Sequence, residues 1–579
     1  MRRALSAAVL AATLVALLAA APARAATTQE TIIQDDPLLL GAETQEEVDD
    51  AFSSFKEIGI DRVRVSLFWD HVAPERLSQV KPAFSEQGPS SPAAYPAGSW
   101  ARYDRIVLAA QKTGVGLLFS VTGPGPAWAT PGRKCAKAGP FPGCQEGVFR
   151  PDPDEFRDFV TAAGTRYSGS YPLALPPDRD PDPDPDPDDS DKLGLPGIDD
   201  LGRPPPPKQP VKQPLILPRV DHWSIWNEPN FPAWLLPIWR ANKPKTAARM
   251  VPAAPAHYRR LVDSAYLGLD ATGHGEDTIL IGETAPRGVK NPKQLGKAMM
   301  PAEFARELFC LKGSYRPYTG KAARVRGCPV TGAERARFTS DHAGLFRAQG
   351  WAHHPYSLDS GTWRVPTWRH PLRDNVSIGS LDRLTRTLDR STRAWTRSSP
   401  RKAIWITEYG YQTTPPDPTA GVSPGRQGRL GAWGESLAYR NPRVASFAQF
   451  LLFDDKPLAG LPESDPRRWV TWQSGLLTAE GQSKPHFDDF RLPLHVASRG
   501  RMARVFGIFR PAVTDTALTA EIQFAPSGGP WRALRTMTVT NPRGYLDTRV
   551  RVPRAGRVRL VWQESGTGDR LASRSAPAG

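Results

Sequence analysis

Eight short apolar runs alternate with longer amphipathic segments between about residues 30 and 494 of this chain. The apolar runs lie at 30–36, 62–69, 115–123, 220–229, 278–286, 351–357, 403–413 and 446–455. The helical patterns between them lie at 44–58, 101–113, 155–168, 256–270, 301–311 and 380–395. This alternation predicts βα units and a parallel sheet. Eight such units close a (β/α)8 TIM barrel, whose functional residues lie at the C-terminal ends of the strands. A doubly wound sheet is the alternative, but no glycine-rich phosphate turn follows the first run.

The pattern changes after Leu494. Short alternating strands separated by Gly, Pro and Asn turns predict a small antiparallel β-sandwich over about 500–573. This segment carries no clustered His, Cys or carboxylate side chains. We therefore expect an α/β barrel domain over 26–494, followed by an accessory domain that packs or attaches to a surface.

Two segments are expected to lie outside the packed core. Residues 1–25 combine a basic start, a long apolar run and small residues at 23 and 25, which is typical of a secretory signal peptide. A membrane anchor is the alternative. Since no other stretch approaches the ~18 apolar residues of a membrane span, we expect a secreted, extracellular protein without membrane insertion. The Pro/Asp-rich insertion 174–214 should be extended and exposed, with calcium binding as the less favoured alternative.

The four cysteines fall into two locally spaced pairs. In an oxidising compartment we expect the disulfides Cys135–Cys144 and Cys310–Cys328, with a zinc site as the alternative. The net charge is +16, but the arginines are scattered and no module of stacking aromatic residues accompanies them. Nucleic-acid binding is therefore not expected, whereas contact with anionic cell-wall polymers is possible for such a basic surface.

Two of the predicted strands end in a glutamate. The run "VDHWSIWNEP" ends at Glu228, and "AIWITEYGYQT" carries Glu408 after its apolar stretch. As the fourth and seventh strands of one barrel, both would end at the same mouth. Two carboxyl groups about 5–5.5 Å apart across a mouth are what retaining glycoside hydrolysis requires. Either glutamate taken alone could instead be a salt-bridge or capping residue.

The motifs "WNEPN", "WITEYG", "VRVSLFW" and "HPY" together carry a family resemblance. The chain resembles the retaining glycoside hydrolases of the large (β/α)8-barrel clan, including the cellulase-like and β-xylosidase-like families. This resemblance implies that Glu228 is the general acid/base and Glu408 the nucleophile. It also implies that Asn227 binds the sugar 2-hydroxyl and that neither a metal nor an organic cofactor is needed.

Physical arguments lead to the same roles. An apolar collar around Glu228, which follows Trp226 and precedes a proline, would raise its pKa and keep it protonated. Arg64 would lower the pKa of Glu408, and Tyr356 would hydrogen-bond the same carboxylate, with His354 shaping the pocket. The alternatives are an ion pair at the barrel bottom for Arg64 and core filling for His354 and Tyr356.

Aromatic residues near strand ends are candidates for stacking on sugar rings. Trp69 and Trp128 are the preferred ones because loop-like sequence follows each. The eighth strand departs from the family pattern, since Phe450, Leu451 and Phe453 stand where a tryptophan is common. Glu283, which also ends a strand, is expected to be a supporting polar residue.

The sequence thus predicts a secreted retaining β-glycosidase that degrades poly- or oligosaccharides, with carbohydrate as its partner. One alternative is a transglycosylase that uses the same carboxylate pair. The other is a non-catalytic carbohydrate-binding or cell-wall protein built on a degenerate barrel.

Overall fold

A computed structural model describes residues 27–130, 147–173, 214–241, 250–512, 517–564 and 568–579. The predicted signal peptide, the pair Cys135–Cys144 and almost all of the Pro/Asp-rich insertion lie outside the described residues. The second predicted pair is present as a disulfide, with the Cα atoms of Cys310 and Cys328 5.6 Å apart.

The predicted barrel is confirmed: in the described part of the chain, eight parallel strands form one closed sheet. These strands, β1–β8 in chain order, are Glu30–Gln34, Arg62–Phe68, Gly116–Thr122, His222–Ile225, Thr278–Thr284, Gly350–His353, Ala403–Ile406 and Val444–Phe450. Each strand pairs with its chain neighbours, and β1 closes the barrel on β8 with Glu30 opposite Ser446. The C-terminal ends of all eight strands therefore surround one mouth.

Helices follow the strands and cover the outside of the barrel. In chain order, α1–α13 are Asp36–Gly41, Gln45–Glu57, Trp69–Val72, Ala101–Thr113, Pro153–Arg166, Ala254–Ala271, Pro301–Leu308, Gly320–Arg324, Gly332–Asp341, Ala343–Arg347, Leu381–Arg393, Pro424–Tyr439 and Pro485–Arg491. Short strand pairs in the loops are Pro172–Leu173 with Leu215–Ile216, Trp239–Ala241 with Met250–Pro252, and Leu358–Asp359 with Thr362–Trp363. No helix in the described ranges is long and apolar enough to cross a membrane.

Strand alternation separates two buried layers. Along β2, Val63, Val65 and Leu67 belong to the large core between the sheet and the helices. Successive side chains of a strand point to opposite faces, so Arg64 and Ser66 face the barrel interior. A smaller interior cluster fills the barrel below them, formed by Ile32, Leu118, Leu280, Ala352, Trp405 and Ala448.

The C-terminal residues form two antiparallel sheets with a shared apolar core. Strands β9–β16 are Leu494–Arg499, Met502–Ile508, Leu518–Pro526, Arg532–Val539, Tyr545–Arg551, Gly556–Gln563, Arg570–Ala572 and Ala576–Ala578. One sheet has the order β9-β10-β13, and the other is β12-β11-β14-β15 with β16 paired to β14. Val505 and Ile522, one from each sheet, lie in the same buried cluster. The sheets thus confirm the predicted fold and begin slightly before the predicted residue 500.

These sheets pack against the N-terminal end of the barrel. The buried Arg510 donates to Thr31 at the start of β1 and forms an ion pair with Glu435 of α12. Tyr545 stacks on Tyr439 with ring centroids 4.5 Å apart. The C-terminal sheets therefore lie at the end of the barrel opposite the mouth.

Candidate active site

Glu228 and Glu408 lie together at the barrel mouth. Glu228 follows the end of β4 and Glu408 follows the end of β7. One carboxylate oxygen of each glutamate and one ring nitrogen of His354 all lie within 4.8 Å of one another. The pair that is 180 residues apart in the sequence therefore forms one local cluster.

The Glu408 carboxylate is held by two donors, one on β2 and one in the loop after β6. Nη1 of Arg64 donates to Oε1 at 3.0 Å, and the Tyr356 hydroxyl donates to Oε2 at 3.1 Å. Arg64 thus lies at the mouth and not in an ion pair at the barrel bottom. Burial raises the pKa of Glu408 above its ordinary value, although the charges of His354 and Arg64 oppose the shift. The expected lowering by Arg64 is present, but burial outweighs it.

His354 bridges two carboxylates. Its Nδ1 lies 2.9 Å from Oε1 of Glu228, and its Nε2 lies 2.7 Å from Oε2 of Glu283. Burial would lower the pKa of the His354 imidazole, but the surrounding carboxylates, Glu408 foremost, raise it to about 10. Both ring nitrogens therefore donate, and the ring is a cation near neutral pH. Glu228 is thus in contact with a buried imidazolium where the sequence predicted an apolar collar.

Glu283 lies beneath the pair as a fully buried carboxylate. Ser224 and Thr407 each donate to it at 2.6 Å, and Nε of Arg64 lies 3.4 Å from Oε1. Burial would raise the pKa of Glu283, but the charge of Arg64 and the contact with His354 hold it at about 2. The Glu283 carboxylate contacts Arg64 and His354, which in turn contact Glu408 and Glu228. The supporting role expected of Glu283 stays a prediction.

Asn227 joins the same network. Its Oδ1 accepts a hydrogen bond of 2.8 Å from Arg64, and its backbone N–H donates to Thr122. The amide nitrogen Nδ2 has no hydrogen-bond partner among the described residues, and Asn227 lines the cavity above the pair. Because Arg64 fixes the orientation of the amide, its NH2 group is available to a ligand.

The backbone of this region adopts left-handed conformations that L-residues rarely take. The φ angle is 65° at Trp226, 36° at Glu228 and 40° at Glu283. The N–H of Trp226 donates to the carbonyl of Val121, and that of Glu228 donates to the carbonyl of Glu283. Such conformations cost roughly 1–3 kcal/mol each and persist only where neighbours enforce them. Neighbouring strands therefore determine where the Glu228 side chain lies.

A cavity of about 370 Å3 opens above the carboxylates. Its aromatic wall comprises Phe231, Trp234, Tyr356, Phe450 and Trp472, and its polar wall includes Asp36, Arg287 and Asp455. Such a mixture of aromatic faces and a few polar groups is typical of small-molecule sites.

Trp69 and Trp128 are not among the described residues that line this cavity. Trp69 begins α3 and is buried, with its ring stacked on Phe159 at 5.8 Å. Trp128 packs edge-on against Trp69 and donates to the carbonyl of Pro74. Trp69 belongs to the large core, and Trp128 packs against that core as a partly buried side chain. The expectation that Trp69 and Trp128 stack on sugar rings is therefore not supported, because neither lines the cavity.

The tryptophan missing from the eighth strand is replaced in part from a loop. Phe450 ends β8 and lines the cavity, and Trp472 from the loop after β8 packs edge-on against it at 5.5 Å. Trp472 also stacks on Tyr356 at 5.2 Å. Trp472 and Trp234 also line the cavity but were not predicted from the sequence. The signal that could have found them is that each lies in a loop that follows a barrel strand.

The same cluster has the spacing of a metal site but not the chemistry. Within the described ranges, Glu228, His354 and Glu408 offer ligand atoms within 4.8 Å of one another. A metal requires a neutral imidazole with a free lone pair. In this structure Nδ1 of His354 contacts Glu228 and Nε2 contacts Glu283, so neither nitrogen presents a free lone pair.

No protein-family model and no curated protein matches this sequence. Among solved structures, it is similar to an endo-β-1,4-mannanase from Thermotoga petrophila, with 9% identity, a TM-score of 0.36, and coverage of 96% of this chain and 98% of that one. It is also similar to GH5_18 from Streptomyces cattleya in complex with GlcNAc, with 15% identity, a TM-score of 0.40, and coverage of 82% and 83%.

A third similar structure is a β-glucuronidase from Parabacteroides merdae, with 9% identity and a TM-score of 0.38. The alignment covers 95% of this chain and 48% of that one, so the chain spans about half the length of that glucuronidase.

Proposed function

We propose that this chain is a retaining glycoside hydrolase that cleaves O-glycosidic bonds of poly- or oligosaccharides. The observation that carries the proposal is the approach of the Glu228 and Glu408 carboxylates to within 4.8 Å beneath a cavity of about 370 Å3. Retaining enzymes separate their carboxyl groups by about 5–5.5 Å, whereas inverting enzymes leave about 6.5–9.5 Å for a water molecule. The observed spacing supports the double-displacement mechanism.

Glu408 is the proposed nucleophile. Arg64 and Tyr356 both donate to its carboxylate, which fixes the attacking oxygen and compensates its charge. Attack on the anomeric carbon forms a glycosyl ester as the bond to the leaving oxygen breaks. Glu228, whose side chain is 15% exposed toward the cavity, donates its proton to that oxygen. Glu228 then accepts a proton from water, which attacks the ester and releases the sugar.

Asn227 and the aromatic wall would position the ring. The free NH2 group of Asn227 is suited to donate to the sugar 2-hydroxyl, a contact that strengthens at the transition state. Trp234 and Trp472 present indole faces in the cavity for stacking. A groove of about 1140 Å3 adjoins this cavity, and Pro37 and Asp455 line both. The groove provides room for further sugar units and favours an oligomeric or polymeric substrate.

The exported state and the domain organisation belong to the same proposal. We propose secretion through residues 1–25, a catalytic domain over 26–494 and an accessory domain from about residue 500. The Cys310–Cys328 disulfide supports an oxidising compartment.

Chemical rescue tests the assignment. Glu408→Ala should abolish turnover of chromogenic β-glycosides that the native protein cleaves, and added azide should restore it with a glycosyl azide of inverted configuration as product. Glu228→Ala should retain activity on substrates with good leaving groups, because these need no protonation. Glu480→Ala, a change at an exposed glutamate, is the matched control and should behave as the native chain does.

Full activity of Glu408→Ala without azide would refute the nucleophile. Binding of glycans by the native chain without any cleavage would favour a non-catalytic carbohydrate-binding protein. A product in which a second sugar replaces water would favour a transglycosylase.

A further inference from the structure

A second cavity, of about 420 Å3, lies on the outside of the barrel between the starts of α5 and α6. Asp152, which precedes α5, and Ala253, which precedes α6, both line it. It shares no lining residue with the catalytic cavity. Four arginines line this cavity, which we call the arginine cavity: Arg150, Arg240, Arg260 and Arg326.

Within the described ranges, most of the positive charge of the arginine cavity has no carboxylate partner. Arg326 forms an ion pair of 2.9 Å with Glu307. The lining carboxylate, Asp152, accepts from the backbone N–H groups of residues 154 and 155 and so caps α5. Arg150, Arg240 and Arg260 have no carboxylate partner among the described residues. A cavity with this charge is suited to an anionic ligand.

His257 holds one of these guanidinium groups in place. Nη2 of Arg260 donates to Nδ1 of His257 at 2.9 Å, so the proton of the ring is on Nε2, which donates to the carbonyl of Pro151 at 2.8 Å. Burial, together with the charges of Arg260 and Arg150, lowers the pKa of His257 to about 4. The ring is therefore neutral near pH 7 and acts as an acceptor that orients Arg260.

Hydrogen bonds and a disulfide hold the wall of the arginine cavity that carries Arg326. The buried Arg259 of α6 donates to the carbonyls of Leu308 at 2.8 Å and Gly327 at 2.7 Å. Cys328, the residue after Gly327, forms the disulfide with Cys310. The segment that carries Arg326 is thereby anchored to α6, and the lining arginines are presented from connected, ordered elements.

We propose that the arginine cavity binds a phosphate or sulfate group, either as the free oxyanion or as a substituent of an anionic polysaccharide. Guanidinium groups donate two parallel hydrogen bonds to such oxyanions, which makes arginine the preferred residue for them. No Phe, Tyr or Trp is among the described lining residues. Single-stranded nucleic acids are typically held by aromatic stacking in addition to charge, so an oxyanion of a glycan fits this cavity better.

Titration calorimetry of the full chain with inorganic phosphate, dextran sulfate and neutral dextran tests the proposal. The test variant is Arg150→Gln/Arg260→Gln. The matched control is Arg501→Gln/Arg532→Gln, which removes the same charge from exposed positions of the C-terminal sheets. Since a hydrogen bond to a charged group contributes about 1.5–3 kcal/mol, the test variant should bind roughly tenfold or more weakly. The control should stay within about twofold, and neutral dextran should not bind.

The outcomes separate the two sources and the rival explanations. If the test variant, but not the control, binds both phosphate and dextran sulfate more weakly, the ligand is the oxyanion itself. If the test variant loses affinity only for dextran sulfate, the ligand is the anionic polymer. Equal losses of affinity in the test and control variants would show that only net charge matters and would overturn the proposal. The absence of binding by the native chain would also overturn it. Tight binding of a single-stranded DNA oligomer, lost in the test variant, would replace it with a nucleic-acid site.

Folding failure is controlled by a third variant. Arg150→Lys/Arg260→Lys keeps the charge but loses the two-pronged donor geometry. If the cavity recognises the oxyanion by that geometry, this variant should melt like the native chain and still bind several-fold more weakly. Native affinity in this variant would show that positive charge alone explains the binding, and would contradict a site that recognises the oxyanion by guanidinium geometry.

Discussion

At the scale of single residues, the completely buried Glu283 connects the groups around Glu228 and Glu408. Its carboxylate contacts both cations of the site, Arg64 and His354, which in turn contact Glu408 and Glu228. The low pKa of Glu283, about 2, keeps this carboxylate ionised near neutral pH. One buried charge therefore determines where two donors point.

Replacement of His354 by glutamine should move the acidic limb of the pH profile of kcat/KM upward. The imidazolium opposes the raised pKa of Glu408, so its removal raises that pKa further. Because the nucleophile works only when ionised, activity should then appear at higher pH. His353→Gln is the matched control, since His353 is an adjacent buried histidine whose pKa burial lowers to about 3. An unmoved limb in His354→Gln, or an equal shift in His353→Gln, would argue against this role.

Truncation of Trp472 should impair substrate use, whereas truncation of Trp128 should not. Trp472 lines the cavity and stacks on Tyr356, which donates to Glu408. Aromatic contacts contribute about 0.5–1.5 kcal/mol, so Trp472→Ala should lower kcat/KM roughly two- to tenfold. Trp128→Ala is the control because its ring lies outside the cavity. Kinetics on an oligosaccharide measure both, and equal effects would contradict the assignment of Trp472 to the sugar site.

At the scale of elements, the end of β5 depends on close approach of two strands. Gly282 has a φ of 104°, and a Cβ added there would lie 2.5 Å from the Trp351 indole of β6. Glu283 follows immediately with its own positive φ. The glycine therefore allows β5 to turn the Glu283 carboxylate inward against a neighbouring tryptophan.

Gly282→Ala should destabilise the fold and displace Glu283. Backbone strain costs roughly 1–2 kcal/mol and the clash with Trp351 roughly 1–3 kcal/mol more. Gly273→Ala separates the two effects, because Gly273 has a φ of 83° but open space around its Cβ. Urea denaturation should show the larger loss for Gly282→Ala, accompanied by lower kcat. Equal losses in the two variants would remove the clash from the explanation.

At the scale of the whole molecule, the C-terminal sheets are joined to the barrel by buried polar contacts. Arg510 pairs with Glu435, donates to the carbonyl of Phe490 at 2.8 Å and contacts Thr31. Both members of the ion pair are almost fully buried. The sheets lie at the end of the barrel opposite the mouth, and none of their described residues lines the cavity above Glu228 and Glu408.

Arg510→Met should destabilise the protein strongly by leaving Glu435 buried without a partner. Removal of one member of a buried ion pair costs about 3–5 kcal/mol, while replacement of both by apolar residues is often nearly neutral. Arg510→Met/Glu435→Leu should therefore recover much of the loss in chemical denaturation. A single variant as stable as the native chain, or a double variant worse than the single one, would show that the pair does not join the two parts.

Local patterns in the sequence determined the barrel and the position of its catalytic candidates. Apolar periodicity and strand length are local properties, so the eight strands and the glutamates after β4 and β7 could be predicted without knowledge of the packing. Arg64, His354 and Tyr356 were proposed as neighbours of these glutamates from the motifs "VRVSLFW" and "HPY". The contacts of Glu408 with Arg64 and Tyr356 agree with that proposal.

Only the tertiary structure decided which side chains line the cavity above Glu228 and Glu408, and which charges in the described residues remain unpaired. Trp69 directly follows β2 and Trp472 stands far beyond the end of β8, yet helix packing buries the first and a loop brings the second to the cavity. Arg150 and Arg260 look scattered in the sequence and meet only because α5 and α6 begin side by side. The physical reason is that contacts between loops and helix ends depend on how distant segments pack, which local periodicity does not specify.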